Sequence, residues 1–174
     1  FNDAGVSLYS DSMSVHTLLQ GDKVEQDVNE WEMLLKKLLD RLSKNTNLIP
    51  KIQYITSTAS SSCGFAFNKD MKPITKVLMV SDKRSSDEVS FIKSNSFYIS
   101  ESKKEPIYCS ESSMIPKLLW VKNNYFDIFE NISSWLGASE FLNYKFTGEL
   151  VTDSLSASKS FYSDTKNHYH EEVL

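Results

Sequence analysis

"PKLLWVKNNYFDIFENISSWLGASEFLNYKFTGELVTDSLSAS", residues 116–158, sets two kinds of sequence side by side. Pro116 stands where a helix opens, and the pattern predicts one running through Leu118, Val121, Tyr125 and Phe129. A shorter helix is expected over residues 139–146, stopped at Gly148 because glycine accepts the left-handed backbone of a C-terminal cap. Beyond Gly148 the chain turns polar, with Thr152, Asp153, Ser154, Ser156 and Ser158 crowded together. Such a run ordinarily spells a loop.

Upstream, "VEQDVNEWEMLLKKLLDRLSKN" holds Trp31, Leu34, Leu35, Leu38, Leu39 and Leu42 at the spacing of one helical stripe. Asp27 is placed to cap that helix, with Glu30 completing a capping-box pattern. Residues 5–20 predict a strand pair around Ser10-Asp11-Ser12, and "KIQYITSTA" a further strand. "GFAFNKDMKPITKVLMV" predicts a hairpin turning at 68–72, with Val77–Val80 as a buried strand. A helix near Ser86 should carry Val89, Phe91 and Ile92, whereas residues 94–112 are polar and are expected to be irregular and mobile. Strands, a helix, more strands and then helices imply a mixed α/β sheet covered by helices.

The bulk numbers agree with one domain's worth of chain: 174 residues, 40% hydrophobic and 24% charged, a balance that allows a buried core. A net charge of −4 argues against nucleic-acid or anionic-membrane partners, which need clustered Lys and Arg. No apolar run reaches the roughly 20 residues of a membrane span. Cys63 and Cys109 suit a reduced, cytoplasmic protein, with one disulfide as the alternative. Neither Gly-x-x-x-x-Gly-Lys nor Gly-x-Gly-x-x-Gly occurs among the five glycines, so both standard phosphate-cradling loops are missing.

In order and at the right gaps, the words of residues 116–158 resemble the FGGY family of carbohydrate kinases. Pro116-Lys117-Leu118-Leu119-Trp120 stands for its Lys-Leu-x-Trp helix, and Asp127-Ile128-Phe129 for its Glu-x-Phe. Phe141-Leu142-Asn143-Tyr144-Lys145-Phe146-Thr147-Gly148 matches the family's helix end, and Thr152-Asp153-Ser154 with Ala157-Ser158 its Thr-Asp-x-Ser-x-Ala-Ser. The match continues into Phe161-Tyr162-Ser163-Asp164. Earlier, "KVEQDVNEWEMLL" and "KPITKVLMVSDKR" resemble the opening of the family's first helix and its Asp-x-Arg strand, with a xylulokinase-like flavour in "VEQD".

The resemblance implies an α/β, RNase H-like (actin-like ATPase) mixed sheet with flanking helices. It implies a partial N-terminal domain over residues 1–174, with the start hairpin, the catalytic base beyond residue 174 and the nucleotide-binding domain lying outside. The implied reaction is transfer of the ATP γ-phosphate to a sugar or polyol hydroxyl, with ATP and Mg²⁺ as cofactors of the full-length enzyme and no catalysis by this chain alone. The alternative is a non-catalytic sugar- or partner-binding module derived from such a kinase. The implied partners are a sugar or polyol, with no nucleic acid and no membrane; a homodimer is the candidate assembly.

Five residues are the substrate-binding candidates. Where many members carry Gln-Met-His-Gly, this chain has Ser60-Ser61-Ser62-Cys63, trading bulky recognition groups for three hydroxyls that can still bond a polyol. A serine-rich turn solvating a strand end is the plainer alternative. Asp82 and Arg84 follow the Val77–Val80 strand, at the end where open α/β sheets bind ligands; a helix cap beside a surface Arg is the alternative. Thr152, Asp153, Ser154 and Ser158 are expected to support the site structurally. His168 and His170 beside Glu171-Glu172 suggest a metal, but no well-spaced further ligand follows, so no metal site is assigned. Asn131-Ile132-Ser133 matches a glycosylation acceptor by chance in a reduced compartment.

Overall fold

The computed structural model describes residues 1–163 and 166–170. It divides into two units: Phe1–His16 with Asp27–Thr56, and Thr17–Gln26 with the chain from Ser57 onward. Asp164, Glu171 and Glu172, named above, lie outside the described residues.

The first unit is built on α1 (Val28–Ser43). The Asp27 carboxylate caps it, accepting from the Asn29 amide at 2.8 Å. Glu30 reaches instead to the His16 amide, at 3.3 Å from each carboxylate oxygen, so the capping-box partner is a more distant segment. Val28 and Leu34 are buried and Trp31, Leu35, Leu38 and Leu42 half-buried, as the stripe requires, but Leu39 is exposed. The strand pair expected around Ser10–Ser12 is absent among the described residues; Asp11 pairs with Arg41 at 3.2 Å. A short 3-10 turn, Ile49–Lys51, follows α1. The strand expected over 51–59 forms no ladder, and Tyr54 and Ile55 are 89% and 66% exposed. Strand-forming side chains do not make a strand unless a neighbouring edge takes up the backbone N–H and C=O groups.

In the second unit β1 (Leu18–Gln20) and β2 (Lys23–Gln26) form a tight hairpin around Gly21, whose φ of 59° suits glycine. The expected turn at 68–72 is present, with the Asn68 side chain accepting from the Asp70 and Lys72 amides. Its arms pair with each other, Gly64 opposite Leu78 and Phe67 opposite Pro73, and each arm takes a further partner on its other edge. The downstream arm, β4 (Val77–Leu78), pairs antiparallel with β2, giving the order β1-β2-β4. The upstream arm, β3 (Phe65–Phe67), pairs with β5 (Ser134–Leu136), a strand without a sequence signal of its own. Val77 and Leu78 are buried as expected, but the strand ends there and Val80 is exposed.

The helices cover these ladders. α2 (Ser86–Ser94) buries Val89 and Ile92 while Phe91 faces solvent, 62% exposed. The stretch expected to be irregular contains α3 (Ser96–Glu101), capped by Asn95 through the Phe97 and Tyr98 amides. The helix expected to run from Pro116 to Phe129 is two: α4 (Met114–Asn124) and α5 (Phe126–Phe129), broken at Tyr125, where φ is −140° and ψ 61°. Asn124 bonds the Trp120 carbonyl with its own side chain at 2.9 Å, the local competition that ends helices. α6 (Ala138–Thr147) stops at Gly148 in the left-handed conformation, φ 77°. The hydroxyl-rich run expected as a loop is α7 (Ser154–Ser158), capped by Asp153, which accepts from the Ser156 amide at 2.9 Å and its hydroxyl at 2.8 Å. A last hairpin, β6 (Tyr162–Ser163) with β7 (His168–Tyr169), closes the described chain. Val89, Ile92, Cys109, Ile115 and Phe161 form one core, and Phe65, Phe67 and Phe141 pack ring against ring within 6.2 Å in another.

Candidate functional site

Ser60 and Ser61 line a pocket of about 220 Å³, and the buried Ser62 stands in the same wall. Facing them are Ser139 and Glu140 at the start of α6, Thr152, and Ser156 and Ser160 in and beyond α7. Trp135, on β5, and Tyr169, on β7, add aromatic surface. The helix expected to be a loop therefore brings part of the hydroxyl run to the pocket, and the Asp153 cap fixes its direction. The Thr152 hydroxyl donates to Glu140, tying one wall to another. Trp135 lies flush on Gly64: a Cβ there would sit 2.4 Å from Trp135 Cζ2 and 2.9 Å from Cε2. Its indole N–H is buried without a hydrogen-bond partner. Such a mix of hydroxyls, one carboxylate and an aromatic face suits a ligand rich in hydroxyl groups.

Asp82 and Arg84 do not line this pocket. Asp82 is fully buried, and its oxygens accept from the Val24 amide at 2.7 Å and from the Arg84 amide, Nε and Nη2 at 3.2, 2.8 and 2.7 Å. The Arg84 fork also pairs with Glu25 at 2.7 Å and lies 4.8 Å from the centre of the Trp120 ring. Burial works against the Arg84 charge, but the bonds to Asp82 and Glu25 outweigh it and raise its pKa. This network fastens the turn after β4 onto β2.

Lys117 joins the two regions. Fully buried in α4, its Nζ donates at 2.7 Å to the Ser62 carbonyl and at 2.7 Å to the Met79 carbonyl. Desolvation pushes its pKa down to about 8, partly opposed by Cys63 and Asp82. Sequence reasoning assigned it no role, although a signal existed: Met114, Lys117 and Val121, all buried, recur at helical spacing on one face of α4. Trp135 lies on β5, which has no sequence signal of its own, and Glu140 lies in the helix expected over 139–146, where no local pattern marks it as facing the serines. Both cysteines are free and buried, and burial raises the Cys109 pKa to about 11.

The two histidines have different surroundings. His168 is exposed, while the buried His170 places Nε2 3.0 Å from Glu105 Oε1. Glu101, Glu105 and His170 bring potential ligand atoms within 4.8 Å of one another. Lys166 reaches into the same cluster, 2.6 Å from Glu101 and 3.0 Å from Glu105, and Lys104 also bonds Glu101. The Lys104 and Lys166 bonds hold the Glu101 carboxyl at about 2. No helix among the described residues is long and apolar enough to cross a membrane.

The family model for the N-terminal domain of the FGGY family of carbohydrate kinases matches residues 6–174. A xylulose kinase of Staphylococcus xylosus is 27% identical over 100 residues, covering 58% of this chain and 21% of the relative. One of Staphylococcus epidermidis is 25% identical over 145 residues, covering 83% of this chain and 28% of the relative. The chain thus spans between a fifth and a third of the length of these curated relatives. Among solved structures, a ligand-bound xylulose kinase from Lactobacillus acidophilus superposes with a TM-score of 0.81 at 19% identity, over 100% of this chain and 36% of that one. A Plasmodium falciparum glycerol kinase with ADP gives 0.80 at 19% identity, over 95% and 35%. These likenesses show the actin-like fold of sugar kinases.

Proposed function

The chain belongs to the FGGY family of carbohydrate kinases, and from that premise we propose that it supplies the sugar-side part of an ATP-dependent kinase acting on a sugar or polyol. The observation that carries this is the hydroxyl-lined pocket of Ser60–Ser62, Ser139, Glu140 and Thr152 beside Trp135. In the proposed complex the serine and threonine hydroxyls donate to and accept from substrate hydroxyls, Glu140 accepts, and the indole face covers the C–H side of the sugar. Asp82 and Arg84 shape the cleft without touching substrate, since the Asp82 oxygens are already engaged by Val24 and Arg84. Xylulose kinases among the relatives favour a ketopentose.

ATP and Mg²⁺ are the co-reactants such an enzyme needs. The residues described here do not fit them: the Glu101–Glu105–His170 cluster is neutralised by lysines, and the sequence has no phosphate-cradling loop. Their ligands are proposed on other parts of a longer protein. The proposed compartment is the cytoplasm, which suits two free thiols.

The test is an ATP-consumption assay on the full gene product against ketopentoses, polyols and glycerol. Turnover on one of them, weakened tenfold or more by Ser61→Leu in the pocket wall, is the expected result. Folded protein silent across the panel, and binding none of these compounds in calorimetry, would reject the kinase assignment. Binding without turnover would favour a sugar-binding module.

A further inference from the structure

Ser62 has φ 67°, in the left-handed region that a side chain with a Cβ disfavours. It stands in the pocket wall, and its carbonyl accepts from the buried Lys117 ammonium. The same Nζ holds the Met79 carbonyl, which also accepts from the Asp82 amide at 3.0 Å, so it reaches the turn that carries Asp82 and Arg84. Strained backbone in a site wall persists only where its surroundings over-determine it. Here the determining group is the Lys117 ammonium, 2.7 Å from the Ser62 carbonyl.

We propose that Lys117 is a positioning residue for the sugar pocket: its Nζ clamps the Ser62 carbonyl, holds the wall in its left-handed conformation and couples that wall to the Asp82–Arg84 turn. The inference rests on the pocket being the sugar site. Cys63, Asp82 and Arg84 are the titratable and charged groups that act on the amine. An ammonium has three N–H donors and a neutral amine two, matching the two carbonyls, so the clamp survives loss of the proton while the charge beside each carbonyl disappears. Two carbonyls far apart in sequence therefore share one titration.

Carbonyl ¹³C NMR of the chain tests this without any ligand. The Ser62 and Met79 carbonyl resonances should move together with one midpoint near pH 8, the value to which burial lowers Lys117. Lys117→Met should abolish both movements, and where it folds, the Ser62 Cα and Cβ shifts should leave left-handed values. D-xylulose binding by the full gene product, followed by calorimetry, should weaken tenfold or more in Lys117→Met and be partly restored in Lys117→Arg. Unlinked or absent carbonyl titrations in the wild type overturn the clamp, and need no variant that folds. A relaxed Ser62 with D-xylulose affinity unchanged overturns the positioning role. No D-xylulose binding by the wild type counts against D-xylulose as the sugar, while the clamp is still decided by the carbonyls.

Discussion

Gly64→Ala is the sharpest test of how the pocket wall is built. The added methyl would lie 2.4 Å from Trp135 Cζ2 and 2.9 Å from Cε2, where ordinary carbon contacts are about 3.5–4.0 Å. Something must therefore move by about 1 Å. Gly64 cannot move cheaply, because it exchanges two backbone hydrogen bonds with Leu78 at 2.9 and 2.8 Å. Trp135 is fixed by its own ladder, opposite Ala66. Its indole is a stiff ring, with no flexible end to swing aside. Gly64 has no positive φ, so the penalty is purely steric. Overpacking of a well-packed core costs about 1–3 kcal/mol, and with both partners pinned the upper half of that range applies. For a chain of this size 2–3 kcal/mol corresponds to a Tm fall of roughly 4–12 °C. Urea unfolding, monitored by circular dichroism, reads the same loss as a lower midpoint at unchanged slope. Gly21→Ala is the comparison: it meets no atom within 4 Å, and only its φ of 59° is costly, about 1 kcal/mol. A Gly64→Ala variant within about 0.5 kcal/mol of wild type, the range of neutral surface changes, would refute the contact between Gly64 and Trp135.

Three further outcomes are expected. Lys117 has a folded-state pKa below its ordinary 10.5, at about 8; the unfolded chain therefore binds the extra proton between these values. Stability relative to Lys117→Met should accordingly rise by ~3 kcal/mol as pH climbs from about 8 to 10.5, and a flat difference in urea midpoints would contradict this. Asp82→Asn should cost about 3 kcal/mol in urea unfolding, toward the low end for a broken buried pair, because Arg84 keeps Glu25 at 2.7 Å. Asp153→Ala removes the α7 cap and should cost about 1 kcal/mol, measured by thermal unfolding, with Asp153→Asn recovering most of it.

What could be read from the sequence was local. The stripe from Trp31 to Leu42, the Asp27 cap, the 68–72 turn and the Gly148 stop each depend on residues a few places apart, and each stands in the structure. Strand pairing beyond the 68–72 hairpin was not legible in the same way. Phe65–Phe67 meets Ser134–Leu136 across 67 to 71 positions, Phe67 opposite Ser134 and Phe65 opposite Leu136, so no turn word announces it. Residues 51–59 have strand-like composition but lack an edge to join. The pocket was half legible: Ser60–Ser62 could be picked out by family resemblance, whereas Trp135 comes to it on an unforeseen strand and Glu140 on a helix whose pocket-facing side no local pattern marks. The Lys117 clamp was hidden because a lysine ordinarily signals a solvated face. Only the burial of Met114 and Val121 on the same face shows otherwise.

The left-handed backbone of Ser62 also sets the terms for re-engineering specificity. Histidine, asparagine and aspartate enter that region several-fold more readily than other side chains, and β-branched residues hardly at all. Ser62→His is therefore a graft that the existing main chain already accommodates, and Ser62→Val or Ser62→Thr one that it resists. A library built on this wall would do well to vary Ser60 and Ser61 freely and to restrict Ser62 to a short alphabet.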